Sequence, residues 1–309
     1  MTEQKIVLGD ALEKISDFPS EFFDLIIADP PYNLGKDYGN NHDIKGFDDY
    51  LDFSRRWIGA CQRVLKSNGT IYVFMGFRFI SYLYDILDRE YNFFFNNWIV
   101  WHYTQGMGKT RGFSPRHDDV LMFTKGKDFV FNLDDVRVPQ KYYRDRNNMR
   151  GANPGDVWEF SHVHYSNGNR QEHPTQKPEG LMERMVLASS NSGDWVLDPF
   201  SGSGTTLRVC QQLQRNGVGI EINPDYVTMT QKRLATEFSG FDTIDPRMER
   251  IPFDLRRDDI REAYLENHKK WFLQNHENAL QEFEASVDEL YGQRKIQQLS
   301  LLESKADYD

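Results

Sequence analysis

The chain has 309 residues, 39% hydrophobic and 14% aromatic, which suits one large α/β domain with extras or two small domains and excludes a chain disordered throughout. Its longest apolar stretches, such as Leu25 to Ala28 and Ile71 to Met75, are strand-length, far short of the ~20 residues of a membrane span. The net charge of −10 argues against a nucleic-acid binder until its distribution is read: from residue 241 onward there are sixteen Asp and Glu against ten Lys and Arg, whereas Arg137, Lys141, Arg144, Arg146 and Arg150 face Asp145 alone.

In chain order, Lys5 to Leu8 reads as a short strand, followed by Gly9-Asp10 and a helical Ala11 to Ile15. Phe23 to Ala28 has the length and β-branched content of a buried parallel strand. It stops at Asp29-Pro30-Pro31-Tyr32, where two prolines end ladder pairing. Tyr50 to Leu65 is a predicted helix with Leu51, Trp57, Ile58, Cys61, Val64 and Leu65 mostly on one face, closed by Ser67-Asn68-Gly69. Thr70 to Met75 is a second buried strand, Phe79 to Asp88 a helix, and Trp98 to Tyr103 and Val120 to Thr124 further strands. Residues 126 to 172 change character, being rich in Asn, Gly, Arg and Tyr with weak periodicity. Regularity returns with a helix over Pro178 to Ser190, which carries proline in its first turn. A strand over Asp194 to Leu197 leads into Asp198-Pro199-Phe200-Ser201-Gly202-Ser203-Gly204-Thr205-Thr206, a helix to Leu213, and a strand over Gly217 to Glu221.

Alternating strands and helices imply an α/β fold, a mostly parallel sheet with helices on both faces. The acidic tail from Arg257 reads as helical, and Leu280, Phe283, Val287 and Leu290 could pack on their own domain or form a homodimer seam. Cys61 and Cys210, the only two cysteines, lie far apart without metal-ligand spacing and read as buried thiols. The N-terminus has no leader-like pattern. Together these suggest a soluble, cytoplasmic protein.

Three segments carry chemistry. A strand, a glycine turn and a helix over Asp198 to Thr205 would aim backbone N–H groups and a positive helix end at a ligand, with Gly202 and Gly204 permitting the sharp turn. Glu221, 17 residues beyond Gly204 at the end of the next strand, is placed to bind ribose hydroxyls. Asp29-Pro30-Pro31-Tyr32 sits at the carboxyl end of a buried strand, where ligands of open α/β sheets bind. It offers an acceptor carboxylate, a rigid carbonyl and an aromatic face, which suit an amino group on a flat base.

In this order these motifs resemble the β class of S-adenosylmethionine-dependent DNA amino-methyltransferases, across roughly residues 5 to 235. The resemblance implies a Rossmann-like methyltransferase fold with permuted motif order. Residues 1–125 form the catalytic half, 126–172 an inserted target-recognition region, 173–240 the cofactor half and 241–309 a charged helical extension. Gly9-Asp10-Ala11-Leu12 looks like the family's contact to the cofactor adenine. His173-Pro174-Thr175-Gln176-Lys177-Pro178 looks like its hold on the methionine end, and Phe200 is implied to cover part of the cofactor. The implied cofactor residues are Asp10, Ala11, Thr175, Lys177, Asp198, Phe200, Ser201, Gly202, Ser203, Gly204, Thr205 and Glu221. His117-Asp118-Asp119-Val120-Leu121 resembles a core motif beside the target base, and Gly155-Asp156-Val157-Trp158 also recurs in relatives.

The implied reaction methylates the amino group of a flipped-out adenine, with Asp29 and the Pro30 carbonyl accepting its hydrogens and Tyr32 stacking on the base. Asp29, Pro30, Pro31 and Tyr32 are therefore the catalytic candidates, and Lys177 is expected to meet the cofactor's carboxylate end. The DNA-binding candidates are Arg137, Lys141, Arg144, Arg146, Asn147, Asn148 and Arg150. No metal is expected at His162, His164 and His173, which lack Cys or carboxylate partners at ligand spacing. The resemblance leaves open a homodimer and a cognate restriction endonuclease as partners. Cytosine-N4 methylation uses a near-identical site, in which Ser more often stands where Asp29 is. RNA or protein amide methyltransferases more often carry Asn there. An idle DNA-binding module could dispense with Asp29 and Lys177, and a nicotinamide dehydrogenase would carry its glycine loop early.

Overall fold

The computed structural model describes residues 2–33, 46–103, 108–138, 152–163, 171, 173, 175–237, 284–285 and 287–288. The strands are β1 Gln4–Leu8, β2 Phe23–Ala28, β3 Leu65–Met75, β4 Phe94–His102, β5 His117–Thr124, β6 Val157–Glu159, β7 Trp195–Asp198 and β8 Asn216–Glu221. The helices are α1 Ala11–Lys14, α2 Phe47–Val64, α3 Ile80–Asp85, α4 Leu133–Val136, α5 Glu179–Ser189, α6 Thr205–Gln212 and α7 Pro224–Ala235. The chain forms two compact units, one of residues 1–132 with 156–243, the other of 133–155 with 244–309. In the second, α4 is followed by an antiparallel bridge between Val138 and Ala152.

All eight strands belong to one sheet of the first unit, in the order β1-β8-β7-β2-β3-β5-β4-β6. Every pairing is parallel except those of β5, which runs antiparallel to both β3 and β4. The carboxyl ends of the other seven strands and the start of β5 therefore share one edge of the sheet. Central β2 reads as an apolar run because helices cover both its faces: five of its six residues are buried.

Helix α2 forms because Tyr50, Leu51, Ser54, Trp57, Ile58, Cys61 and Val64 recur at helical spacing, and all are buried. It ends where Leu65 turns extended (φ −74°, ψ 136°), earlier than Ser67-Asn68-Gly69 suggests. That triplet lies inside β3, whose pairing jumps from Phe23–Leu65 to Leu25–Thr70. The predicted helical stop is thus an irregularity in a strand. A Cβ on Gly69 would stand 2.9 Å from the Asp24 carbonyl, so glycine serves close approach there. The expected helix over Phe79 to Asp88 is α3 followed by a wider π turn, Ile86–Glu90. Strand β6 and helix α7 were not anticipated. Cys61 and Cys210 are buried free thiols, and burial pushes both thiol pKa values up. No described helix is long and apolar enough to cross a membrane.

Candidate active site

Asp29 and Tyr32 follow the carboxyl end of β2, and Pro30 and Pro31 between them fix the backbone. Tyr50, at the start of α2, donates from its hydroxyl to the Pro31 carbonyl at 2.7 Å. Its ring packs on Phe79 with centroids 4.5 Å apart. This buried tyrosine thus anchors the tetrapeptide to a helix. In the sequence it was indistinguishable from any other buried aromatic.

Asp29 Oδ2 accepts an ion-paired hydrogen bond from Lys177 Nζ, while the buried Asp29 Oδ1 has no hydrogen-bond partner. The same ammonium lies 5.3 Å from the ring centre of Tyr32, 5.1 Å from Phe74 and 5.9 Å from Trp101. Phe74 and Trp101 stand edge to face on β3 and β4, with centroids 6.3 Å apart, and the Trp101 indole donates to the Phe160 carbonyl at 2.8 Å. The ammonium on Asp29 therefore lies among three aromatic rings, two of which were not singled out in the sequence. Lys177 was expected at the carboxylate end of a cofactor; the structure places its ammonium on Asp29.

The glycine loop follows β7. Gly202 (φ +49°) and Gly204 (φ +72°) are left-handed, which a side chain would strain. A Cβ on Gly202 would come within 2.9 Å of His173 Nε2, so His173 packs directly on the loop. Glu221 Oε2 accepts from Gly202 N and Oε1 from Asn223 N, each at 2.8 Å. Burial pushes the Glu221 pKa up, against the pull of these backbone donors. It thus shapes the loop from within, besides the ribose role expected of it. Across the sheet edge, Gly9 N donates to the Glu221 carbonyl at 2.9 Å. Next to it, Asp10 caps α1 by accepting from Leu12 N at 2.7 Å, and Ala11 is buried. Asp10 and Glu221 therefore stand at the ends of the paired strands β1 and β8.

Phe200 packs against Trp57 and Phe53 of α2 at 5.6 and 6.2 Å. Thr205 Oγ1 donates to the Lys177 carbonyl at 3.3 Å. Thr175 is half-buried, its N–H reaching His173 Nδ1 at 3.3 Å. Arg233 of α7, unremarkable in sequence, donates to the Ser203 carbonyl at 2.9 Å, to Thr205 Oγ1 at 3.0 Å and to Glu179 Oε1 at 2.6 Å. One guanidinium thereby fastens the glycine loop to the helix after Lys177.

Asp198 is buried, and its pKa is pushed up to about 7. Desolvation is the main cause; the negative fields of Asp29 and Glu221 add to it, against the nearby Thr206 hydroxyl and the hydrogen bond from Phe200 N at 3.1 Å. The carboxyl groups of Asp29, Asp198 and Glu221 thus influence one another, and Lys177 pairs with Asp29. Such a field suits a positively charged ligand. The buried Ser201 hydroxyl, which has no hydrogen-bond partner, and the left-handed glycines make the loop a fitting cradle for the sulfonium-bearing cofactor.

Of the residues expected to bind DNA, Arg137 is mostly buried and pairs with Asp134 at 2.7 Å. Lys141, Arg144, Arg146, Asn147, Asn148 and Arg150 lie outside the described residues, as does the proposed helical seam apart from Val287. His162 packs on Tyr103 and Trp101, with centroids 4.0 and 4.9 Å apart. Among the described residues, no cluster of His, Cys, Asp and Glu could hold a metal ion.

The sheet and its two strand-end loops define a Rossmann-like methyltransferase. The chain belongs to the N6/N4 DNA methylase family, whose model matches residues 23–232. It is 58% identical over 297 residues to the type II methyltransferase M.HpaI of Haemophilus parainfluenzae, covering 96% of this chain and 95% of that one. It is 38% identical over 242 residues to the DNA adenine methyltransferase YhdJ of Escherichia coli, covering 74% of this chain and 82% of that one. Among solved structures, the M1.HpyAVI complex with S-adenosylmethionine aligns with 75% of this chain and all of its own, at a TM-score of 0.55 and 29% identity. The methyl donor of this family is S-adenosylmethionine.

Proposed function

We propose that this DNA methyltransferase is site-specific and acts on the N6 amino group of an adenine flipped out of the duplex. The observation that carries this reading is the nitrogen already seated at Asp29. Lys177 holds an N–H donor on Oδ2 between the faces of Tyr32, Phe74 and Trp101. An amino group on a flat base would present the same donor among the same rings. Asp29 is acceptor-only when ionised, and a second acceptor, the Pro30 carbonyl, follows it in a stiffened backbone. Two acceptors drawing on one amino group bend its nitrogen out of conjugation and free its lone pair for attack. The bound cofactor supplies the methyl group on an electron-poor sulfonium. Asp198, Ser201 to Thr205 and Glu221 would hold it, with Asp10, Ala11, Thr175 and Phe200 at its margins.

Asp rather than Ser at position 29 and the likeness to YhdJ favour adenine over the cytosine amino group. The name of M.HpaI, a type II methyltransferase, supports a role in the bacterial cytoplasm beside a cognate restriction endonuclease. The decisive experiment incubates mixed-sequence DNA with labelled S-adenosylmethionine and analyses the digested nucleosides by mass spectrometry. N6-methyladenine is the expected product. N4-methylcytosine would overturn the choice of base, and an unmodified digest would overturn the activity.

A further inference from the structure

The hairpin that joins β4 to β5 turns at the same sheet edge as Asp29, because β5 is the reversed strand and starts where the others end. Met75 at the end of β3 pairs with Asp119, and the next residue, Gly76, lies against the Tyr32 ring, 3.5 Å from an added Cβ. The start of β5 therefore lies at the edge that carries the Asp29–Tyr32 tetrapeptide. Between Tyr103 and Arg116 the hairpin contains Lys109, Arg111 and Arg116 and no acidic residue, in a chain of net charge −10.

Its described part is built. Tyr103 N donates to the Arg116 carbonyl at 2.9 Å, continuing the ladder. Lys109 N donates to Ser114 Oγ at 2.8 Å and closes a turn. Gly112 within the turn is left-handed (φ +95°), and Phe113 beside it is 100% exposed. Lys109 and Arg111 are exposed and make no ion pair among the described residues. A second bare aromatic, Phe77, 69% exposed, follows Gly76 at the same edge, with Arg78 after it. A wholly solvated phenyl ring gains nothing for the fold. Flanked by cations in a turn that leaves the sheet at the edge where Asp29 lies, it has the chemistry of a stacking wedge.

We propose that the β4–β5 turn is a DNA-contacting element: Lys109 and Arg111 bind the phosphates flanking the target, and Phe113 stacks into the space vacated by the flipped base. The inference rests on the base-flipping reading of the site. Duplex DNA is its occupant because cations meet phosphates while an apolar ring meets bases, and the turn offers both within five residues.

The test is single-turnover methyl transfer by the full chain on two duplexes bearing its methylation site, one fully paired and one abasic opposite the target base. A wedge is needed only while the target base is paired. Phe113→Ala is expected to lose about tenfold or more on the paired duplex, the equivalent of ~1.4 kcal/mol, and to recover to near wild type on the abasic duplex. Phe113→Trp should stay active on both. An unchanged rate on the paired duplex, or an equal loss on both duplexes, overturns the wedge. Lys109→Gln and Arg111→Gln should each lower the slope of log affinity against log salt by about 1; unchanged slopes overturn the phosphate contacts. Because wild type is measured on the same duplexes, its inactivity would mark failure of the base-flipping reading itself. Phe113 is fully exposed, so the variants fold, which unchanged thermal melting checks.

Discussion

Arg233 and Glu179 meet through Nη2 and Oε1 at 2.6 Å, with side chains only 5% and 3% exposed. A buried pair of this kind stabilises only while both partners remain, because a lone buried charge is severely penalised. Arg233 also holds the Ser203 carbonyl and Thr205 Oγ1 of the glycine loop. Arg233→Met is therefore expected to cost about 3–5 kcal/mol in urea unfolding and to raise KM for S-adenosylmethionine. Glu179→Gln keeps an acceptor for the guanidinium and should cost less. A loss below ~1 kcal/mol for Arg233→Met would show that the loop does not depend on this clamp.

Asp29→Ala should retain cofactor binding and lose methyl transfer, by about 10²–10³-fold if the carboxylate acts as a preorganised acceptor. Isothermal titration with S-adenosylhomocysteine and single-turnover rates separate the two effects. A rate near wild type would remove Asp29 from the reaction. Tyr32→Phe should keep stacking and much of the rate, whereas Tyr32→Ala should lose roughly 1–3 kcal/mol of base stacking.

Lys177 and Asp29 should be energetically coupled in the protein without DNA. Lys177→Met leaves a carboxylate whose other oxygen already has no hydrogen-bond partner. The expected loss of stability is about 1–3 kcal/mol. The double variant Asp29→Asn, Lys177→Met should recover part of it, with a coupling of roughly 0.5–3 kcal/mol in a double-mutant cycle. Strict additivity of the two changes in denaturant unfolding would refute the coupling.

Asp198 gives the cofactor-free protein a pH-dependent stability. Its pKa rises from 3.8 to about 7 on folding, so the folded state binds the proton more tightly than the unfolded chain. The resulting stability is fully present below about pH 4 and is lost as pH rises towards 7, on the order of a few kcal/mol. Asp198→Asn removes the titration. The melting temperature of wild type relative to this variant should fall between pH 5 and 7.5; a constant difference would show that Asp198 does not titrate there. Binding of the cationic cofactor should strengthen over the same interval in wild type, as the carboxylate ionises.

The parts of the site legible in the sequence are those where backbone chemistry dictates residue type. Asp29-Pro30-Pro31-Tyr32 and the glycine loop announce themselves because proline and glycine have few other reasons to stand at strand ends. Strand β2 was readable because burial on both faces demands a continuous apolar run. Tyr50, Phe74, Trp101 and Arg233 left no such mark, since their importance lies in which distant residue they meet. Arg233 sits in a stretch, Gln231-Lys232-Arg233, that reads as a solvated helix face, yet it is buried. Ser67-Asn68-Gly69 misled for a related reason. Local turn preference pointed to a helix end, while pairing with β2 carried the same residues into a strand.

The sheet order has a consequence for how the molecule is made. Strand β2 is complete at Ala28, but β7, its neighbour on one side, begins only at Trp195, and β1 pairs solely with β8, which begins at Asn216. At about 5–20 residues per second of synthesis, β2 leaves the ribosome roughly ten to thirty seconds before the partner that closes its second edge. During that interval a nascent chain ending before β7 carries an apolar strand with one open hydrogen-bonding edge, the kind of surface that chaperones cover and that invites aggregation. The order that places Asp29 early in the chain and the glycine loop late thus leaves completion of the sheet to its last two strands.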